Sequence, residues 1–73
     1  MSWSDDLRRG VEEALQKKGG GRIAVHTRAQ EELGRTAANR LAPKYGAYAG
    51  DVEFELIPKD MRGTYPVGTI LAS

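Results

Sequence analysis

The sequence predicts a small two-layer α+β domain, in which helices pack on a small sheet in the order α-β-α-β-β. Apolar residues recur at helical spacing near the amino terminus and again in the middle of the chain. Residues 52–56 alternate between apolar and acidic side chains, as a half-buried strand does. The 73 residues suffice for one domain, 1–73, and are too few for two.

The first helix is predicted at residues 4–18. Asp5 and Asp6 lie at the positive end of its dipole, and Lys17 and Lys18 lie at the negative end. Three glycines follow and are expected to end the helix. Its apolar face is formed by Trp3, Leu7, Val11, Ala14 and Leu15.

A strand at 22–26 and a second helix from residue 28 are predicted next. Thr27 and Gln30 have the spacing of a capping box. We expect Pro43 to end the helix, because the residue before a proline is disfavoured in the α region. The apolar stripe of this helix is predicted to contain Leu33, Ala37 and Leu41, with Gly34 and Ala38 beside them.

Two further strands, at 52–56 and 65–72, are predicted to form an antiparallel carboxy-terminal hairpin. Pro66 near the start of the last strand favours an edge position, because proline cannot donate a ladder hydrogen bond. A sheet this small is barely stable by itself, and its open edges invite pairing with another copy.

The composition suggests that partners contribute to stability. Leu, Ile, Val and Phe together number 14, and there is no cysteine, which excludes disulfides and thiolate metal sites. Small domains with thin cores often need an additional source of stability, such as a disulfide, a bound metal or oligomerisation. Of these, oligomerisation is the one that this composition leaves open. We therefore expect a homo-oligomer or a protein partner.

The sequence predicts neither secretion nor membrane insertion. Met1 is followed by Ser2, Trp3, Ser4 and Asp5, with no apolar core of a signal peptide. Apolar runs are far shorter than the roughly 20 residues that span a bilayer. A cytoplasmic or virion-associated location is expected.

No constellation in the sequence predicts catalysis. His26 is the single histidine, and Asp5 and Asp6 are explained by their place at a helix start. The glycines at 19–21 lead into a strand, whereas phosphate-binding loops lead into a helix. We expect no enzyme, no catalytic, cofactor-binding or metal-binding residue, and no small-molecule substrate.

Charge is uneven along the chain and defines a candidate interaction surface. Residues 1–44 carry nine Lys or Arg and six Asp or Glu, a balance of +3; residues 45–73 carry two and four, a balance of −2. This polarity suits a head-to-tail contact between copies, and the basic helix with two tyrosines leaves nucleic-acid binding or transcription regulation as the alternative. The candidate residues are Arg28, Arg35, Arg40, Lys44, Tyr45, Tyr48, Glu53 and Glu55.

Residues 37–48, Ala-Ala-Asn-Arg-Leu-Ala-Pro-Lys-Tyr-Gly-Ala-Tyr, followed by a strand from Val52, resemble the head–tail joining proteins of long-tailed phages. That family has a helix ending in A-x-x-L-A-P, a short glycine-containing loop and a strand, and its sheet often ends near a Gly-Thr pair, here Gly68 and Thr69. The resemblance covers residues 22–73. It implies a structural role, in which subunits form a neck ring between the connector and the tail tube.

A second resemblance is shorter. Pro58-Lys59-Asp60-Met61-Arg62, placed after a strand, is similar to a segment of swapped-hairpin antitoxins and transition-state regulators. It covers about 15 residues, and the two helices ahead of it do not fit that family.

Overall fold

The computed structural model describes residues 2–72, and it confirms the α+β class and the order α-β-α-β-β. Short 3-10 turns occupy 42–45, 49–51 and 59–61. The helices and strands are α1 (Trp3–Gln16), β1 (Gly21–Val25), α2 (Arg28–Leu41), β2 (Val52–Leu56) and β3 (Ile70–Ala72).

The three strands are arranged in the order β2-β1-β3, so the predicted carboxy-terminal hairpin is wrong. β1 lies between the last two strands and pairs parallel with β2, from Gly21 opposite Val52 to Val25 opposite Leu56. β3 pairs antiparallel with β1, with an irregularity in the register beside Ile23. The connection 57–69 is far longer than the about 2–5 residues of a hairpin loop, and it carries the chain past β1.

Both helices pack against one face of the sheet and against each other, as a two-layer domain requires. Ile23 and Val25 are fully buried on this face and join Val52 of β2 in the core. α1 supplies most of the helical contribution, with four buried apolar side chains: Leu7, Val11, Ala14 and Leu15.

α2 contributes little bulk to the core. Its only buried residues, within the described part of the chain, are Gly34 and Ala38. The absence of a side chain on Gly34 lets the Phe54 ring of β2 lie against the helix backbone. Leu33 was expected in the apolar stripe, but 52 % of it is exposed, so that expectation is wrong. The buried stripe lies one residue further along, because the smaller residues approach the sheet more closely.

The helix ends show one confirmed and one wrong prediction. The Thr27 hydroxyl oxygen accepts a hydrogen bond from the Gln30 amide, and the Gln30 Oε1 accepts one from the Thr27 amide, so the capping box is confirmed. Pro43 does not push Ala42 out of the α region. Ala42 has helical angles and donates to the Ala38 carbonyl, and Pro43 lies in the first turn of a 3-10 helix, where its missing donor costs nothing. Gly46, with a φ of 61°, ends that turn.

The last strand is also shorter than predicted. The segment 65–72 was expected to be extended throughout, but only Ile70–Ala72 pairs as β3. Gly68 has a φ of 90°, and its carbonyl lies so close to Gly10 of α1 that a Cβ atom at Gly10 would collide with it. Gly68 and Thr69 nevertheless stay bonded to β1, because the Gly68 amide donates to the Ala24 carbonyl and the Ala24 amide donates to the Thr69 carbonyl.

Candidate interaction surface

The basic face predicted on α2 is divided in the structure. Arg28 and Arg35 both lie beside Glu31, at 3.9 and 3.4 Å, which neutralises part of their charge. Arg40 follows Arg35 by five residues, and this spacing turns it about 140° around the helix. The three arginines therefore do not form one continuous basic stripe.

Arg35 has a second role at the edge of the sheet. Its guanidinium lies 5.6 Å from the centroid of the Phe54 ring, within the range of a cation–π contact. Phe54 is half-buried between this arginine and Gly34. The sequence predicted Arg35 only as part of an interaction surface, whereas in the structure its guanidinium also lies over the ring of Phe54, the only phenylalanine of the chain.

Lys44, Tyr45 and Tyr48 of the predicted set do come together, at the end of the domain where both helices terminate. Tyr45 packs against the core, and the Lys44 ammonium lies 5.7 Å from its ring centroid. Tyr48 is 73 % exposed, and its ring lies over Gly50.

A groove of about 480 Å³ separates this loop from the end of α1. The residues that line it include Lys17 and Lys18 after α1, Tyr45 and Tyr48 of the loop, and Asp51. The sequence reasoning missed the two lysines as interaction residues, because 27 residues separate Lys18 from Tyr45 and nothing local connects them. Their position after a helix had suggested only a complement to the helix dipole.

The electrostatics of this groove favour the role of Lys17 and Lys18 as a complement to the helix dipole. The groove lies at the carboxy-terminal ends of α1 and α2, where each macrodipole places about half a negative charge. Lys17, Lys18 and Lys44 offset these partial charges, and Asp51 adds a full negative charge. The groove is therefore less positive than its lysines alone suggest.

Glu53 and Glu55 lie on the face of the sheet away from the helices, in agreement with the alternation of β2. Glu55 pairs with Arg22 of the neighbouring strand at 3.3 Å. Both partners are about half exposed, so the pair contributes at most about 1 kcal/mol. The two glutamates lie on the opposite face of β2 from Phe54. They are also well separated along the chain from the arginines of α2.

β2 is an edge strand whose outer side has no partner within residues 2–72. The Ile57 amide donates to the Val25 carbonyl at 2.9 Å, so the Leu56 carbonyl on the same peptide plane points away from β1. Peptide directions alternate along a strand, and the amides of Phe54 and Leu56 therefore also point outward. Leu56 is 45 % exposed beside this free edge.

His26 joins three parts of the chain. Its amide donates to the Gln30 side chain at 2.7 Å, and its carbonyl accepts from Arg62 at 2.9 Å. Its Nε2 lies 2.7 Å from the Tyr65 carbonyl, which can only accept, so this nitrogen carries the proton. The histidine thus fixes the 57–69 connection to the end of β1.

Several large apolar side chains are exposed on the described chain: Trp3, Leu33, Tyr48, Leu56 and Met61. Residues 2–72 hold no group of three or more His, Cys, Asp or Glu side chains placed to bind a metal ion. Neither described helix has the length and apolarity needed to cross a membrane.

The chain matches no known protein family, no curated protein and no solved structure.

Proposed function

We propose that this chain is a non-enzymatic structural or adaptor protein that assembles with further copies of itself. The observation that carries the proposal is the unpaired outer edge of β2, with the exposed side chain of Leu56 beside it. Unpaired strand edges are templates for pairing with another chain, and soluble proteins usually blunt them with proline, bulges or a covering element.

The thin core supports the same proposal. The largest fully buried side chains are Ile23, Val11, Val25 and Val52, and no aromatic residue is among them. Burial of apolar area contributes roughly 25 cal/mol per Å². Covering the exposed apolar side chains in an assembly would therefore add stability that the isolated domain lacks.

The phage neck ring is the setting that we propose for this assembly. The motif that resembles head–tail joining proteins ends α2, passes through the Tyr45–Tyr48 loop and leads into β2. This helix, loop and strand follow one another as they do in that family. A ring subunit needs complementary surfaces and no catalytic group.

The molar mass in solution, measured by light scattering over a range of concentrations, tests self-assembly. We expect a mass above 8.0 kDa that increases with concentration and then reaches a plateau, as a closed ring does. A folded protein that keeps the monomer mass up to millimolar concentration would contradict the proposal.

Nucleic-acid binding is the second candidate, and the groove between Lys17, Lys18 and the exposed Tyr48 favours it. Exposed aromatic rings stack on bases, and lysines contact phosphates. The partial negative charges of the two helix ends and the carboxylate of Asp51 weaken this candidate, because they make the groove less positive. Titration of a labelled single strand at low and high salt tests it: binding that falls steeply with salt and is lost in Tyr48→Ala supports this candidate, and no binding at low salt contradicts it.

A further inference from the structure

We infer that the copies assemble head to tail, with the free edge of β2 in one copy paired to β3 of the next, so that their sheets continue into each other. This inference rests on the proposed self-assembly and names its interface. The occupant of the β2 edge is thus a second copy of this chain, bound through its opposite sheet edge.

The two edges offer matching backbone groups. On β2, the amides of Phe54 and Leu56 and the Leu56 carbonyl point outward, as derived above. On β3, the Thr69 carbonyl accepts from the Ala24 amide of β1 at 2.9 Å. The Ile70 amide lies on the other side of the same trans peptide plane and therefore points away from β1. Each edge has donors and acceptors for the other.

The strand directions also match. β2 is parallel to β1, and β3 is antiparallel to β1. When copies follow one another with their sheets in line, β3 of one copy therefore runs antiparallel to β2 of the next. Antiparallel pairing is the slightly more stable arrangement per residue.

Charge argues against the symmetric alternative, in which two β2 edges pair with each other. In an antiparallel β2–β2 contact with the helices on one side, facing residues share a face of the sheet. Glu53 and Glu55 would then face the glutamates of the second copy, and like charges directly opposite each other destabilise a sheet.

The β3 edge has no such conflict. Residues 67–72 carry no charged side chain. A β3–β3 contact would leave the β2 edge unpaired and Leu56 exposed. Pairing β2 with β3 satisfies both edges of every copy through one kind of contact. Such a contact is heterologous and produces a ring where the rotation closes.

Two variants that each block one edge test this arrangement. Leu56→Pro removes an outward amide of β2, and Ile70→Pro removes the outward amide of β3. Proline is tolerated on an edge strand where the missing donor faces solvent. Leu56→Ala is the matched control, because it shortens the side chain and keeps the amide.

Each proline variant alone should stay at the monomer mass in sedimentation equilibrium, whereas wild type and Leu56→Ala assemble. Mixed in equal amounts, the two variants should form a heterodimer and nothing larger, because one intact edge of each remains. In the mixture, the amide signals of Phe54 and Ile70 should mark the contact. The Phe54 signal is read from labelled Ile70→Pro, and the Ile70 signal from labelled Leu56→Pro.

The outcomes separate this inference from the proposed function. Assembly of Ile70→Pro alone would show a contact that does not use the β3 edge, such as β2–β2, and assembly of Leu56→Pro alone would show a contact that does not use the β2 edge. Either result, or a mixture that stays monomeric while wild type assembles, overturns the head-to-tail arrangement but leaves self-assembly standing. Monomeric wild type overturns both.

Folding of each variant is checked by circular dichroism, since Ile70 is partly buried against the core. If a proline variant does not fold, the same experiment is made with N-methyl-Leu56 and N-methyl-Ile70 in chains prepared by chemical synthesis. N-methylation removes the same amide donors and keeps both side chains. The expected and contradicting outcomes are unchanged.

Discussion

The α1 side and the β2 side of this domain are built differently. α1 buries four apolar side chains and touches the 65–69 segment backbone to backbone, at Gly10 and Gly68. α2 buries only Gly34 and Ala38, and the strand beneath it has a free edge. The α1 side therefore holds the fold together, while the β2 side is available for a partner.

The two leucines Leu7 and Leu33 give the largest expected contrast. Leu7 is buried in the core, and Leu33 is more than half exposed. Leu7→Ala should lower the free energy of unfolding by about 3 kcal/mol, because it loses buried area and leaves a cavity. Leu33→Ala in the monomer should change it by less than about 0.5 kcal/mol. Urea unfolding of both variants measures the difference, and equal losses would contradict the contrast between the two sides.

The two buried helix glycines, Gly10 and Gly34, give a second contrast. A Cβ atom at Gly10 would meet the Gly68 backbone, whereas at Gly34 it would meet the far end of the Phe54 ring, which can turn. Gly10→Ala should destabilise by about 2 kcal/mol. Gly34→Ala should be nearly neutral, because alanine gains about 1 kcal/mol of helix propensity and the ring gives way.

Thermal unfolding of these two variants provides the measurement. We expect a clear loss of melting temperature in Gly10→Ala and little change in Gly34→Ala. A higher melting temperature in Gly10→Ala would mean that a Cβ atom fits between α1 and the Gly68 backbone, so that the two are not in close contact at Gly10.

The capping box at the start of α2 should have a smaller effect. Thr27→Ala removes the acceptor for the Gln30 amide and should cost about 1 kcal/mol of stability. Thr36→Ala, in the exposed middle of the same helix, is the control and should not destabilise. Chemical unfolding of both variants decides the point: an equal effect at the two positions would mean that the cap contributes nothing specific.

The ion pairs of α2 should have the smallest effect. Glu31→Gln removes the carboxylate that Arg28 and Arg35 share. Exposed pairs within a helix are worth about 0.3–0.5 kcal/mol each, so we expect a loss below about 1 kcal/mol that fades at high salt. A loss of several kcal/mol, or one that salt leaves unchanged, would mean that α2 depends on these pairs.

Local patterns in the sequence predicted the elements well. The α1 stripe and the Thr27–Gln30 box depend on residues within one or two turns of each other. Their physical causes are complete within the segment, and both are found in the structure, except that Trp3 of the predicted α1 stripe is exposed. The alternation of 52–56 likewise predicted that Glu53 and Glu55 face solvent, but not that Leu56 is exposed at the free edge.

The pairing of strands was harder to predict, because it depends on residues far apart. Two clues to the central place of β1 were present: the consecutive apolar residues Ile23, Ala24 and Val25, typical of a strand buried on both faces, and the length of the 57–69 connection. The contact between Lys18 and the Tyr45–Tyr48 loop had no local clue. The interaction surface was therefore predicted only in part: Arg28, Arg35 and Arg40 do not form a stripe, while Tyr45 and Tyr48 do line a groove.

Amide hydrogen exchange of wild type, in dilute and in concentrated solution, reports whether copies of this chain meet at the edges of the sheet. The Glu55 amide points toward β1 and should be protected at both concentrations. The Phe54 and Leu56 amides should exchange freely in dilute solution and become protected when the protein is concentrated, together with Ile70. If these three amides stay unprotected at millimolar concentration, the edges of the sheet are not where copies of this chain meet.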